Sequence, residues 1–283
     1  MEYKQKFSIA IPASLVSDVP HLREKTFRIG LVGRAAAIFR VDEIIVFPDV
    51  LDFDQSKEAS LIATILSYME TPQYLRKRLF KIRPELRYVG VLPPLRTPHH
   101  PVKNKLKDLT LGEHREGVVV ASTGKGSLVD IGVEYPFLVS EKGVPTKTRV
   151  TVKIVDFRKP PKAVVVSRDE IEQYWGYQVV ISNMTLGRLM KSRSFDLVVA
   201  TSKYGAPFMT VVEELMKRWK KSRRVLVAFG APAKGLYEIV AQESLKLEEI
   251  ADFVVNTIPW QGTETVRTEE ALYASLAILN SFV

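Results

Sequence analysis

Three short apolar runs most constrain what this chain can fold into: Phe195 to Ala200, Val225 to Phe229 and Phe253 to Val255. Nearly uninterrupted apolar runs of this length belong to strands covered on both faces, and so to a parallel sheet. Each run ends in a loop of small and polar residues. The loops are Ala200-Thr201-Ser202-Lys203-Tyr204-Gly205, Gly230-Ala231-Pro232-Ala233-Lys234-Gly235, and Asn256 to Arg267, which opens a helix through Thr268-Glu269-Glu270. The carboxyl ends of parallel strands share one edge, so the three loops are expected to converge there. Glycines let a ligand approach the backbone. Ordinary strand-to-helix turns favour the same residues, so on pattern alone a binding site and three plain turns both stay open.

The first part of the chain alternates in the same way. Phe7 to Ile11 and Ile44 to Phe47 read as strands, each stopped by a proline. Thr26 to Phe39 reads as a helix with Phe27, Leu31, Ala35, Ile38 and Phe39 on its apolar side, and Lys57 to Glu70 as another, followed by Pro72 to Lys81. The middle differs. Between Val91 and Lys162 lie the β runs Glu116 to Val120, Ser127 to Gly132, Tyr135 to Val139 and Arg149 to Phe157, separated by glycine-containing turns. Short strands this dense predict a small antiparallel barrel. Leu92-Pro93-Pro94 and Lys159-Pro160-Pro161-Lys162 bound it. The expected organisation is therefore an α/β domain of residues 1–90 and 163–283 carrying an inserted barrel, 91–162. Further helices are expected at Thr210 to Trp219, around Leu236 to Gln242, and from Thr268 towards Asn280.

The formal net charge is +9. That surplus favours polyanionic partners, nucleic acid first and anionic membrane second, unless the protein is simply basic. The segment from Val91 to Lys162 holds 13 Lys or Arg against 7 Asp or Glu, most of the surplus. Arg76-Lys77-Arg78 lies just before it, and Lys217 to Arg224 forms a second charge run. A basic barrel is a common nucleic-acid platform. Phe137, Tyr135 and Phe157 either stack bases or form barrel core; core is favoured. No cysteine is present, which excludes disulfides, thiolate zinc sites and cysteine nucleophiles. His99-His100 without a nearby acidic residue makes a poor metal site, so no metal is expected. No uncharged stretch approaches the roughly 20 residues that span a bilayer, and Met1 to Lys6 lead into a strand and not a signal peptide. No membrane partner and a cytoplasmic location are expected.

The stretch Asn256-Thr257-Ile258-Pro259-Trp260-Gln261-Gly262-Thr263-Glu264-Thr265-Val266-Arg267-Thr268-Glu269-Glu270-Ala271, taken with Phe229 to Gly235, resembles the SPOUT superfamily of RNA methyltransferases. More narrowly it resembles the archaeal and eukaryotic branch with an OB-like barrel inserted in the catalytic domain. The resemblance implies an α/β fold with a C-terminal trefoil knot, an exception to the rule against knotted connections. It implies S-adenosylmethionine as cofactor, RNA as substrate, and a homodimer with the site near the subunit interface. The implied cofactor residues are Thr201, Ser202, Gly205, Phe229, Gly230, Ala231, Gly235, Asn256, Thr257, Ile258, Pro259, Gln261, Gly262 and Thr263. Glu264 and Arg267 lie beside them and are the candidate proton acceptor and phosphate ligand. Gly33 to Glu43 is similar to a motif of one branch in which a helix arginine binds or activates RNA, and Arg34 falls on that arginine; Arg40 stands where the motif has glycine.

Methyl transfer to nitrogen or oxygen needs alignment and proton removal. Methylating carbon 5 of a pyrimidine usually needs a cysteine adduct, which this chain cannot form. A base nitrogen or ribose oxygen is therefore the expected acceptor. Two other readings remain at this point: an RNA-binding assembly protein with a silent knot, and a nucleotide-binding α/β protein, although the loops match no phosphate-binding fingerprint.

Overall fold

The computed structural model describes residues 5–192 and 194–282. In chain order its elements are β1 (Lys6–Pro12), α1 (Leu22–Ile38), β2 (Glu43–Phe47), α2 (Ser56–Glu70), α3 (Gln73–Leu79), β3 (His114–Thr123), β4 (Gly126–Asp130), β5 (Phe137–Val139), β6 (Arg149–Asp156) and β7 (Lys162–Val165). There follow β8 (Gln178–Ile181), α4 (Leu186–Lys191), β9 (Leu197–Pro207), α5 (Phe208–Lys221), β10 (Arg224–Ala228), α6 (Leu236–Ala241), α7 (Leu247–Ile250), β11 (Phe253–Asn256) and α8 (Thr268–Asn280). Chain contacts divide these into two compact units. One comprises residues 1–67, 84–94 and 177–283; the other comprises 68–83 and 95–176. Among the described residues no helix is long and apolar enough to cross a membrane.

The first unit is built on a six-stranded sheet in the order β11-β9-β10-β1-β2-β8, parallel throughout. The apolar runs supply its centre: Val198, Ala200, Leu226 and Ala228 are buried against Leu189, Leu236 and Val240 of α4 and α6. In α5, Val212, Leu215, Met216 and Trp219 are buried at helical spacing. The charge run at its end is partly engaged: Arg218 pairs with Asp252. β9 runs further than its apolar stretch, to Pro207. Val254 pairs with Ala200 but Val255 with Ala206, so Thr201 to Gly205 leave the ladder between two anchored ends.

α1 starts earlier than its apolar pattern and turns a different face inward. Phe27 and Ile38 are both 47 % exposed, while Ile29, Gly30, Val32, Gly33 and Ala35 are buried. A side chain at Gly30 would press on Leu92, its Cβ only 2.8 Å from Cδ2. Close packing through small residues, and not the large apolar stripe, sets this face. Glu269, in the first turn of α8, is likewise turned inward. It is buried beside Arg28, 3.7 Å away, and burial pushes its carboxyl up.

The second unit contains a closed five-stranded barrel in the order β3-β4-β5-β7-β6. Its pairs are antiparallel except β5 with β7, which is parallel. Val119, Val129, Phe137, Val152 and Ile154 fill it. Phe137 is core as expected, but Tyr135 precedes the strand and is 55 % exposed. Several of the unit's cations are spent internally. Arg76 bonds the Thr71 and Met69 carbonyls, Arg78 pairs with Asp130, and buried Arg115 holds Glu113.

A charged network lies inside this unit. The buried carboxylates of Glu70 and Glu116 share Arg149 and Arg168. Thr151 and Trp175 donate to Glu116, and His99 and His100 donate Nε2–H to the Glu70 carbonyl, at 3.0 and 2.7 Å. Burial pushes the Glu70 carboxyl up, but Arg149, the His99 hydrogen bond and Arg168 outweigh it and hold it down to about 2. Burial, with His99 beside it, lowers His100 to about 4. Both groups bind protons more readily in the unfolded chain, so stability rises with pH. It is expected to fall as the pH drops from 6.5 through 4 by way of His100, and from 4.5 towards 2 by way of Glu70. Each loss is on the order of 3 kcal/mol. Urea midpoints followed by Trp175 fluorescence between pH 7 and 3 check this; a flat profile contradicts it.

Candidate functional site

The three loops converge. A cavity of about 380 Å³ lies at the carboxyl edge of the sheet, walled by the stretch of β9 that leaves the ladder (Thr201 to Tyr204), by the loops after β10 and β11, and by α8. Of the residues expected at a cofactor site, Thr201, Ser202, Gly230, Ala231, Gly235, Asn256, Thr257, Ile258 and Gln261 line it, as does Glu264. Gly205, Phe229, Pro259, Gly262 and Thr263 do not. Phe229 is buried beneath, its N–H bonded to the Ala10 carbonyl at 3.0 Å. Gly205 works by closeness: a Cβ there would stand 2.7 Å from the Val254 carbonyl oxygen, so only glycine lets β9 rejoin β11.

The polar side chains round the cavity mostly bind backbone groups of the neighbouring segments and so brace the loops. Thr201 Oγ1 donates to the Ala228 carbonyl at 2.9 Å. Asn256 Nδ2 donates to the Lys203 carbonyl at 2.9 Å, and its Oδ1 accepts from the Ile258 N–H at 2.9 Å. Thr268 Oγ1 donates to the Gly230 carbonyl at 2.7 Å, which carries the start of α8 back to the loop after β10. Thr257 and Ser275 hydroxyls bond at 2.7 Å. Within the second loop Ala231 N–H reaches the Lys234 carbonyl at 2.9 Å, and Gly235 N–H reaches the Glu238 carboxylate at 2.9 Å. The walls are thus held before any ligand arrives, which lowers the ordering cost of binding.

The three residues expected to meet substrate are placed differently from one another. Glu264 is exposed at the cavity, where its backbone carbonyl accepts from Gln261 Nε2 at 3.1 Å. Arg267 is exposed at the start of α8, its N–H donating to the Glu270 carboxylate at 3.0 Å, and is not in the wall. Arg34 lies on α1, half-buried, with Nη1 donating to the Pro94 carbonyl at 2.9 Å; it is not in the wall either. Sequence reasoning passed over Lys203, Tyr204, Lys234 and Tyr237, which line the cavity, although the first three lie within the loops it singled out. Ala271 and Ser275 close the site from α8; small residues on a buried helix face carry no local signal. His99 and His100 are folded onto the end of α2, in the other unit.

A parallel sheet whose carboxyl-edge loops enclose a preformed cavity defines a small-molecule-binding α/β protein. A family described as "Putative RNA methyltransferase" matches residues 6–279. An uncharacterised protein of Haloarcula marismortui is 35% identical over 96% of this chain and 98% of its own length. Proteins named 28S rRNA (uridine-N(3))-methyltransferase are similar too. That of Drosophila melanogaster is 34% identical, with 96% of this chain and 61% of that one covered; that of Homo sapiens is 32% identical, with 96% and 77% covered. The chain belongs to this family and is an RNA methyltransferase.

Proposed function

We propose that this protein uses S-adenosylmethionine to methylate N3 of a uridine in ribosomal RNA. The observation that carries the reading is the braced cavity at the carboxyl edge of the sheet, in a chain that belongs to an RNA methyltransferase family. Its size falls within the range for small-molecule sites, roughly 300–1,000 Å³. Ile258, Leu236 and Val266 offer apolar wall, and the backbone of the three loops offers hydrogen bonds. Nine of the fourteen cofactor residues expected above serve as wall, and Phe229 and Gly205 as the frame beneath it; Pro259, Gly262 and Thr263 stand exposed outside the wall. Bound S-adenosylmethionine supplies an electrophilic methyl group. The protein's part is to hold the acceptor base in line and remove its proton. Glu264, exposed at the cavity, is the proton acceptor in this reading; Arg267 and Arg34 meet RNA phosphate.

The same reading includes a trefoil knot: the chain crosses from β10 past β9 to β11, then returns to Gly230 through Thr268. It includes an OB-like, RNA-gripping role for the barrel (residues 91–162 with flanking segments), whose exposed lysines include Lys105, Lys107, Lys153 and Lys162. A homodimer is supported by the apolar Phe27 and Ile38 left half-exposed on α1. Incubating the protein with methyl-labelled S-adenosylmethionine and unmodified ribosomal RNA, then digesting to nucleosides, is expected to yield labelled 3-methyluridine. Glu264→Gln is expected to slow incorporation by at least about tenfold. Label on ribose overturns N3 of uridine as the acceptor; no label at all overturns the reading and favours a silent RNA-binding protein.

A further inference from the structure

Trp260 is 95 % exposed on the loop whose residues Ile258 and Gln261 line the cavity. The chain's other tryptophans, Trp175 and Trp219, are buried. The turn carrying Trp260 is stiff. Gln261 N–H closes onto the Ile258 carbonyl at 3.2 Å, Gln261 Nε2 donates to the Thr263 carbonyl at 2.9 Å, and Asn256 clamps the loop's base. Asn256 also ties this loop to the one bearing Tyr204. Tyr204 lines the cavity, is 73 % exposed, and has the Lys203 ammonium 5.2 Å from its ring centroid. Lys203 and Lys234 are exposed in the same wall. Lys203 Nζ also donates to the Glu264 carbonyl at 3.4 Å, which holds its charge beside the cavity. Two aromatic rings in solvent beside two exposed lysines match a nucleotide, with a flat base and an anionic phosphate.

We propose that Trp260 and Tyr204 form the stacking surface that receives the unpaired target base of a single-stranded RNA, with Lys203 and Lys234 meeting its phosphates. This rests on the function proposed above. N3 of uridine carries the proton used in base pairing, so a paired base must leave its stack before it can react. Extruding a base is costly, and an aromatic face at the cavity rim offsets that cost whatever the neighbouring sequence.

The test uses the full chain loaded with S-adenosylhomocysteine and titrated with short single-stranded oligouridine RNA. Trp260 dominates the solvent-accessible tryptophan emission, so its quenching on RNA binding is expected, and Trp260→Phe abolishes that signal. Trp260→Ala is expected to raise the Kd for oligouridine by about tenfold, and Trp260→Phe by less than about threefold, since a ring still stacks. Both variants should bind S-adenosylhomocysteine as the parent does. Oligouridine annealed to oligoadenosine should leave the emission unchanged. Absence of quenching, or an unchanged Kd in Trp260→Ala, overturns the proposal. So does a Trp260→Ala protein that sediments as a monomer where the parent is a dimer, because the ring then belongs to a second copy. Failure of the parent to bind S-adenosylhomocysteine instead strikes the underlying function, so the two failures are distinguishable.

Discussion

Gly230→Trp is expected to weaken S-adenosylhomocysteine binding by at least about a hundredfold, close to 2.7 kcal/mol. Gly230 sits where the loop after β10 turns back on itself. A Cβ there would lie 3.2 Å from the Lys234 carbonyl oxygen, 3.3 Å from Gly235 Cα and 3.4 Å from Leu236 N. These atoms are backbone and cannot swing aside, so even alanine presses on the turn. The Gly230 carbonyl also accepts from Thr268, so displacement would reach the start of α8. An indole has no room inward, because Phe229 and the strand beneath are buried; it must enter the cavity of about 380 Å³. Gly230→Ala is the control, with an expected loss of only about threefold to tenfold. Calorimetric titration of the parent and both variants measures this. A tryptophan variant that is folded and binds within about threefold of the parent would remove the cavity from cofactor binding.

The largest stability effect is expected at Arg149. Its guanidinium bridges two buried carboxylates, Glu70 at 4 % and Glu116 at 0 % exposure. Arg149→Met keeps much of the side-chain volume but leaves both carboxylates with Arg168 alone. Removing one partner of a buried ion pair typically costs about 3–5 kcal/mol, chiefly because the remaining charge is stranded. The same substitution should move the acid-induced loss of stability upward in pH, since Arg149 is the foremost group holding the Glu70 carboxyl down. Urea denaturation followed by Trp175 emission, in parent and variant at pH 7 and pH 5, reads both effects. Adding Glu70→Gln and Glu116→Gln to Arg149→Met should recover part of the loss, because neutral amides cost less to bury than unpaired carboxylates. A loss below about 1 kcal/mol for the single variant would show that Arg168 and the hydrogen bonds from Thr151, Trp175 and His99 suffice without Arg149.

Much of the α/β framework was legible because parallel strands announce themselves locally. Phe195 to Ala200 and Val225 to Phe229 are apolar on both faces, and the polar residues that follow them had to lie at one edge. The convergence of the three loops therefore followed from strand direction alone. What stayed hidden was set by partners far away in sequence. β9 continues to Pro207 only because β11 takes it up again at Ala206. The buried side of α1 is decided by glycines and alanines that admit Leu92, whereas the large residues Phe27 and Ile38 stay half-exposed. Nothing near Glu70 and Glu116 in sequence foretells that they are buried beside Arg149 and Arg168. Arg76 and Arg78 counted as free positive charge until the structure showed them tied to carbonyls and to Asp130.

β1 occupies a central place in the sheet, with β2 on one side and β10 on the other, Lys6 opposite Arg224. During synthesis β1 therefore leaves the ribosome long before β10, the strand it pairs with. At translation rates of about 5–20 residues per second, the wait between them is roughly 10–40 s. The barrel strands, whose partners all lie between His114 and Val165, are complete well before then. The order of birth thus favours a nascent protein whose barrel is formed while its catalytic sheet is still an open edge. In that interval β1 and β2, both rich in apolar residues, are the segments most in need of a chaperone.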